Sequence, residues 1–224
     1  SIFYNYATEG KQRRFIKTAF TQYLSPSVIN QLLQNPENLK LGGERRRISI
    51  FFSDIENFTS ISEPLQPEQL TDLLNKYLSE LSEIILKNGG TIDKYEGDAI
   101  IAFWNAPLDT ENHERKAIET AIECQKRLKE LNSEFVKIAG RPLATRIGIN
   151  TGVAVVGNMG SSKRFDYTAF GDSVNLASRL EGLNKDFGTY ILCTKETALY
   201  AKQQGSPLKF RKIAYAKVLG KDKA

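Results

Sequence analysis

The strongest constraint on this chain is a strand that ends in one carboxylate and a hairpin that turns on another. In Ile48-Ser49-Ile50-Phe51-Phe52-Ser53-Asp54 the apolar residues Ile48, Ile50 and Phe52 alternate, which is the period of a half-buried strand. Asp98 stands in Asp93-Lys94-Tyr95-Glu96-Gly97-Asp98-Ala99-Ile100-Ile101-Ala102-Phe103-Trp104. There Gly97 marks a tight turn, and Ile100 to Trp104 reads as a short buried strand. If the two strands lie side by side, Asp54 and Asp98 meet at their ends. Neighbouring carboxylates are costly unless something positive neutralises them. Hard divalent cations do so, usually with phosphate oxygens completing the shell. Either Asp alone is as readily a helix cap or turn residue, with Thr59 and Ser60 as competing caps; the pair in these settings is far more specific.

Two further segments bear on phosphate. Ile55-Glu56-Asn57-Phe58-Thr59 leads toward a helical stretch, whose first backbone N–H groups favour anions. Asn57 can take a left-handed conformation in that turn. No glycine-rich phosphate loop is present. The second segment runs Arg164-Phe165-Asp166-Tyr167-Thr168-Ala169-Phe170-Gly171-Asp172-Ser173-Val174-Asn175-Leu176-Ala177-Ser178-Arg179-Leu180. Asp172 or Ser173 can cap a helix beginning near Val174. Asn175 and Arg179 are then four apart on one face, beside the anchoring apolar residues Val174, Leu176, Ala177 and Leu180. An amide next to a planar guanidinium suits phosphate and sugar oxygens, although such a pair is often only a solvated polar face.

Together, Phe52 to Thr59, Asp93 to Ile100 and Tyr167 to Arg179 resemble the catalytic domain of class III adenylate cyclases, in that family's order and over roughly residues 42–221. The resemblance is to the bacterial-type subgroup with Lys and Thr at the base-reading positions. It implies that Asp54, Asp98 and the backbone carbonyl of Ile55 hold two metal ions, Mg²⁺ or Mn²⁺, for in-line displacement at phosphorus. It implies phosphate contacts from Phe58 and Thr59, and a triphosphate contact from Arg164. It places Lys94 and Thr168 on the purine: Lys94 donating to adenine N1, the Thr168 hydroxyl accepting from the adenine amino group. Asn175 would orient the ribose and Arg179 would stabilise charge at the reacting phosphate. Without the resemblance, Lys94 reads as an exposed strand lysine, Thr168 as a β-branched strand residue, and Arg164 as half of a solvated basic pair.

Two departures from the family pattern stand out. Asn57 occupies a position where Gly is common. Leu219 occupies the position of a triphosphate-binding Lys, leaving Lys217 and Lys221 as the neighbouring candidates. The chain also stops where the family usually has one more strand.

The remaining sequence fits one catalytic domain over residues 42–224, preceded by a linker or signalling helix segment over residues 1–41. The expected fold is α+β, a ferredoxin-like βαββαβ core with extra strands and helices. Helices are expected at 4–20, 67–87, 112–138, 173–186 and 195–203, with a further loop-and-helix segment reaching Leu33. Strands are expected at 47–53, 91–104 as a hairpin, near 144–156 and 164–169, at 190–193 and at 208–216. Residues 34–47, with Asn35-Pro36 and Gly42-Gly43, read as a linker, and 157–161 as a loop between strands.

Cys124 and Cys193 form no metal or disulfide pattern, which favours a reducing compartment and a cytoplasmic catalytic domain. His113, the single histidine, reads as a surface residue near a helix start. The net charge of +5 is spread along the chain without interleaved aromatics, so it suits a polyanionic nucleotide and gives no support for nucleic acid. The resemblance implies ATP as substrate, a homodimer with two sites at its interface, and an upstream sensor or membrane module. A guanylate cyclase is the alternative of the same chemistry. A non-catalytic nucleotide-binding or dimerising module is the alternative of a different class.

Overall fold

The computed structural model describes residue 29 and residues 42–161 and 165–215. The basic helix expected at 4–20, the segment to Leu33, most of the linker, and Arg164, Lys217, Leu219 and Lys221 lie outside the described residues. Successive elements are β1 (Gly42–Ile55), α1 (Phe58–Ser62), α2 (Pro67–Lys87), β2 (Thr91–Glu96), β3 (Ala99–Trp104) and α3 (His113–Ala139). Then follow β4 (Thr145–Gly160), β5 (Phe165–Phe170), α4 (Asp172–Phe187), β6 (Ile191–Cys193) and α5 (Lys195–Gln203). The sheet order is β2-β3-β1-β4-β5, with β6 pairing parallel to β4. Its β2-β3-β1-β4 part is the order expected of a βαββαβ core.

The alternation seen in the sequence divides the core in two. Ile48, Ile50 and Phe52 of β1 face the same side as Phe103, Ala154, Val156 and Ala177. Phe51 and Ile55 face the other side, packing with Ile100, Ala102, Trp104, Ile147 and Ile149 beneath α2 and α3. On that side α2 buries Leu73, Tyr77, Leu81, Ile84 and Ile85. A capping box between Gln66 and Gln69 starts α2, with Pro67 at its first turn, and Asn88 closes it. The stripe from α3 includes Ala117, Ala121, Cys124, Leu128 and Phe135.

Several elements differ from the sequence expectation, each for a visible reason. β1 starts at Gly42, because Glu44, Arg45, Arg46 and Arg47 pair with Val156, Val155, Ala154 and Val153 of β4. Cross-strand pairing overrides the linker-like composition of two glycines and three arginines. β4 likewise continues through the expected loop to Gly160, since Gly157 to Gly160 pair with Thr168 to Phe165 of β5. Gly157 permits this because a Cβ there would run into the backbone of Gly42 and Gly43. Residues 208–215 form no strand; they find no ladder partner among the described residues.

His113 does begin a helix, but it is buried, and its Nδ1 hydrogen-bonds Ser49 Oγ at 2.8 Å. Ser49 Oγ also meets Thr151 Oγ1 at 2.8 Å, which explains how a polar ring is accommodated in the core. Cys124 and Cys193 are both free thiols. No helix among the described residues is long and apolar enough to cross a membrane.

Candidate active site

The two acidic residues meet as the strand pattern requires. β1 and β3 are antiparallel with Ser53 opposite Ile100, so Asp54 lies beside the turn that carries Asp98. Gly97, with φ 64°, takes the left-handed conformation that lets β2 reverse into β3 within this turn. The N–H of Ile55 donates to Asp98 Oδ2 at 2.9 Å. Burial pushes the Asp54 carboxyl up to about 7; a hydrogen bond with Asp98 and the charges of Asp98 and Glu181 push the same way, and a backbone hydrogen bond from Ile55 opposes them. Glu181, on α4, is itself raised, chiefly by burial.

These residues fit a hard divalent ion. Two carboxyl groups in hydrogen-bond contact repel once both ionise, and a cation relieves that repulsion. Among the described residues no cluster of three or more carboxylate, imidazole or thiolate groups has metal-binding geometry. The candidate donors that the structure brings together here are the two carboxylates. That is a typical share for Mg²⁺, which keeps waters and substrate phosphate in its shell.

Beside this pair, Asn57 adopts the left-handed conformation (φ 56°) expected of it and caps α1, without a side-chain hydrogen bond. Neither Thr59 nor Ser60 acts as the cap, since the helix has already begun at Phe58. The Phe58 ring packs on the large core, so only its backbone faces outward chemistry. Thr59 is exposed. Arg146 Nη2 binds Glu56 Oε1 at 2.7 Å and ties this turn to the start of β4.

Lys94 and Thr168 come together at a second place. They sit on β2 and β5, the outer strands of the sheet order, which the curled sheet brings into contact. The link is Asp93: Thr168 Oγ1 donates to Asp93 Oδ2 at 2.7 Å, and Lys94 Nζ stands 3.7 Å from Asp93 Oδ1. Burial raises the Asp93 carboxyl, against the lowering effects of Thr168, Lys94 and the Ala169 N–H. The β2–β3 register slips between Ile92 and Lys94, so Asp93 is the extra residue of a β-bulge. Among the described residues no hydrogen bond or ion pair joins Asp54 or Asp98 to Lys94, Asp93 or Thr168.

Asn175 and Arg179 ride on α4. Its N-cap is Gly171 (φ 139°), not Asp172 or Ser173, and no side chain caps it. Ser173 Oγ donates instead to Val153 O at 3.0 Å. The helix is fastened to β4 along its length: Asn150 Nδ2 donates to Ser173 O at 2.8 Å, and the buried Asn184 Nδ2 donates to Ile147 O at 3.0 Å. Between them, α4 lies against Gly148 and Gly152, where added Cβ atoms would strike Ala177, Glu181 and Ser173. Asn175 is exposed, and Arg179 Nη1 is buried with no hydrogen-bond partner among the described residues.

Asp93, Asn150, Asn184 and the two glycines are residues that the sequence reading gave no role. Gly148, Asn150 and Gly152, spaced by two in a strand otherwise rich in Ile and Val, carried a legible signal of close helix approach. Asp93 carried none, because its use depends on the bulge.

Comparison with known proteins gives the family and the fold. Residues 43–224 match the family model described as the adenylate and guanylate cyclase catalytic domain. The chain is 40% identical over 206 residues to Adenylate cyclase 1 of Rhizobium meliloti, covering 92% of this chain and 30% of that protein. The adenylyl cyclase CyaB from P. aeruginosa superposes with a TM-score of 0.74 at 39% identity, over 82% of this chain and 92% of its own. The guanylyl cyclase Cya2 superposes with a TM-score of 0.66 at 38% identity, over 72% of this chain and 81% of its own. The chain spans about a third or less of the length of the curated relatives it matches. Near-equal identity to an adenylyl and a guanylyl cyclase leaves the choice of base to particular side chains.

Proposed function

The chain belongs to the adenylate and guanylate cyclase catalytic domain family, and on that premise we propose that it converts ATP to 3′,5′-cyclic AMP and pyrophosphate at a homodimer interface. The observation that carries the reading is the Asp54–Asp98 carboxyl pair at neighbouring strand ends, in a chain that also holds a Lys94–Thr168 pair and an Arg179 Nη1 without a hydrogen-bond partner among the described residues.

In this reading Asp54, Asp98 and the carbonyl of Ile55 hold Mg²⁺ or Mn²⁺, two ions per site. Bound there, the ions supply the Lewis acidity that favours attack by the ribose 3′-oxygen and departure of pyrophosphate. Phe58 and Thr59 offer backbone N–H groups to phosphate. Arg164 contributes to triphosphate binding. Lys94 donates to adenine N1, and Thr168 accepts from the exocyclic amine. Asn175 orients the ribose, and Arg179 meets the charge that grows on the reacting phosphate.

The metal-holding pair and the base-reading pair are separate clusters within one protomer. The lack of any hydrogen bond or ion pair between them among the described residues supports a site assembled across two chains. A twofold pairing of identical protomers makes two such sites. Residues 42–224 form the catalytic unit, in keeping with a family match that begins at residue 43, and residues 1–41 connect it to an upstream sensor or membrane module.

The test is product analysis with ATP and with GTP, each under Mg²⁺ and Mn²⁺. Cyclic AMP should form at least about tenfold more efficiently than cyclic GMP, since a mismatched base leaves polar groups unpaired. Equal use of both nucleotides would remove Lys94 as base reader, and no cyclic product from either would remove the activity.

A further inference from the structure

Asp93 is a buried carboxylate to which the chemistry above gives no task. Its side chain is 2% exposed. It takes the proton of Thr168 Oγ1 at 2.7 Å and the N–H of Ala169 at 3.4 Å, both on Oδ2. A threonine hydroxyl has one proton and two lone pairs, and an Asp93 Oδ2 that also accepts the Ala169 N–H has no proton to return. The Thr168 proton is therefore committed inward, and its oxygen offers a ligand only lone pairs.

We propose that Asp93 is a specificity-determining positioning residue: by holding the Thr168 proton it turns Lys94 and Thr168 into a fixed donor–acceptor edge for an amino-purine nucleotide. This rests on the reading of Lys94 and Thr168 as the base-reading pair. Thr168 alone is ambiguous, because a free hydroxyl rotates and either donates or accepts. With its proton held by Asp93, it meets the exocyclic amine of adenine as an acceptor meeting a donor. The carbonyl oxygen of guanine would face lone pairs, and guanine N1–H would face the Lys94 ammonium. Both contacts are mismatched, so the oxo-purine is rejected by a residue that touches no substrate. The bulge makes this possible. In a regular strand residues 93 and 94 point to opposite faces, whereas the slipped register brings the Lys94 ammonium to 3.7 Å from Asp93 Oδ1.

The experiment is kcat/KM for ATP and for GTP, at fixed metal concentration, in the wild type and in Asp93→Asn, Thr168→Val, Thr168→Ser and the Asp93→Asn/Thr168→Val double variant. Asparagine keeps the volume, but its amide both gives and takes hydrogen bonds, so Thr168 regains both polarities. The ATP:GTP ratio should fall about tenfold in Asp93→Asn, chiefly through improved use of GTP. The double variant should discriminate no worse than Thr168→Val alone, because Asp93 acts through Thr168. Thr168→Ser, whose hydroxyl Asp93 can still orient, should keep the wild-type ratio. Asp93→Ala removes the acceptor by truncation and serves the same comparison where the Asn variant does not fold.

A ratio unchanged in Asp93→Asn and Asp93→Ala but eroded in Thr168→Val overturns the proposal and leaves the base-reading assignment standing. Additive effects in the double variant also overturn it, because Asp93 would then act through Lys94 or through the fold. A wild-type ratio in Thr168→Val removes the base-reading assignment and this inference with it.

Discussion

Gly148→Ala tests whether helix placement governs catalysis here. Gly148 is opposite Phe52 toward the Ile55 end of the β1–β4 ladder, and its backbone is ordinary strand, so the restriction is space rather than conformation. A Cβ at this position would lie 2.9 Å from Glu181 Cα and closer still to Ala177 O and Glu181 N. All three are backbone atoms of α4, and none can rotate away. Ordinary contact begins near 3.4 Å, so the helix must retreat. The retreat is roughly 1 Å, a displacement that can cost about 100-fold in rate when it moves positioned groups. Overpacking of this kind also costs about 1–3 kcal/mol of stability.

Asn175 lies two positions before Ala177 and Arg179 two positions before Glu181, so both move with the clash. Both are assigned to the ribose and the reacting phosphate. The loss should therefore fall mainly on kcat rather than KM. The assay is steady-state cyclic AMP formation beside a thermal melt followed by circular dichroism. Gly152→Ala is the internal control. Its Cβ would lie 3.0 Å from Ser173 Cβ, a contact relieved by a few tenths of an ångström, and closer still to Ser173 Oγ, which can turn away at the expense of its bond to Val153 O, about 1 kcal/mol. Gly152→Ala should thus lose some stability and little rate. A folded Gly148→Ala protein with kcat within about threefold of wild type would refute the argument that α4 placement carries the chemistry.

Three other outcomes follow from the same geometry. Asp54→Ala or Asp98→Ala should abolish turnover while leaving a cooperative melt, because each removes a metal donor and not a core contact; cyclic AMP formation near wild type by folded Asp98→Ala protein would exclude the assignment. Mixed Asp54→Ala and Arg179→Ala protomers, each inactive alone, should regain part of the activity, since one of two interface sites keeps both intact sets; heterodimers that form without recovery would argue for a site within one chain. His113 should make the fold acid-sensitive. Burial lowers its pKa below the ordinary 6.5 against the pull of Glu114, with Arg47 and Arg46 also lowering it. The folded state then binds fewer protons than the unfolded chain, so this stability is present above pH 6.5 and lost as pH falls toward the lowered value. Urea midpoints at pH 7.5 and 5.5 in wild type and His113→Gln should show a steeper fall for wild type.

What was legible in the sequence had a local cause. The alternation of Ile48, Ile50 and Phe52 put these three on one face of β1, although Phe51 and Ile55 bury the other face as well, and the apolar stripe through Leu73, Tyr77, Leu81 and Ile85 marked α2. Asp54 and Asp98 were legible as a pair because both sit where local signals end a strand or turn a hairpin. Elements that depend on pairing over long separations were not legible. Arg45 to Arg47 look like linker until Val153 to Val155 of β4 are laid beside them, a hundred residues away. The buried state of His113 depends on Ser49 and Thr151, neither of which is near it in sequence.

The candidate site shows the same division one level up. Lys94, Thr168, Asn175 and Arg179 could be singled out from the resemblance to the family's motifs. Their settings could not. Thr168 has a fixed polarity only because a bulge turns Asp93 toward it across the curled sheet. Arg179 is placed only because Gly148, Asn150 and Asn184 seat α4 against β4. Two chains could carry identical motif residues and differ in base preference through position 93, or in rate through position 148. Positions 93 and 148 thus join Lys94, Thr168 and Arg179 as places where base preference and rate can be set.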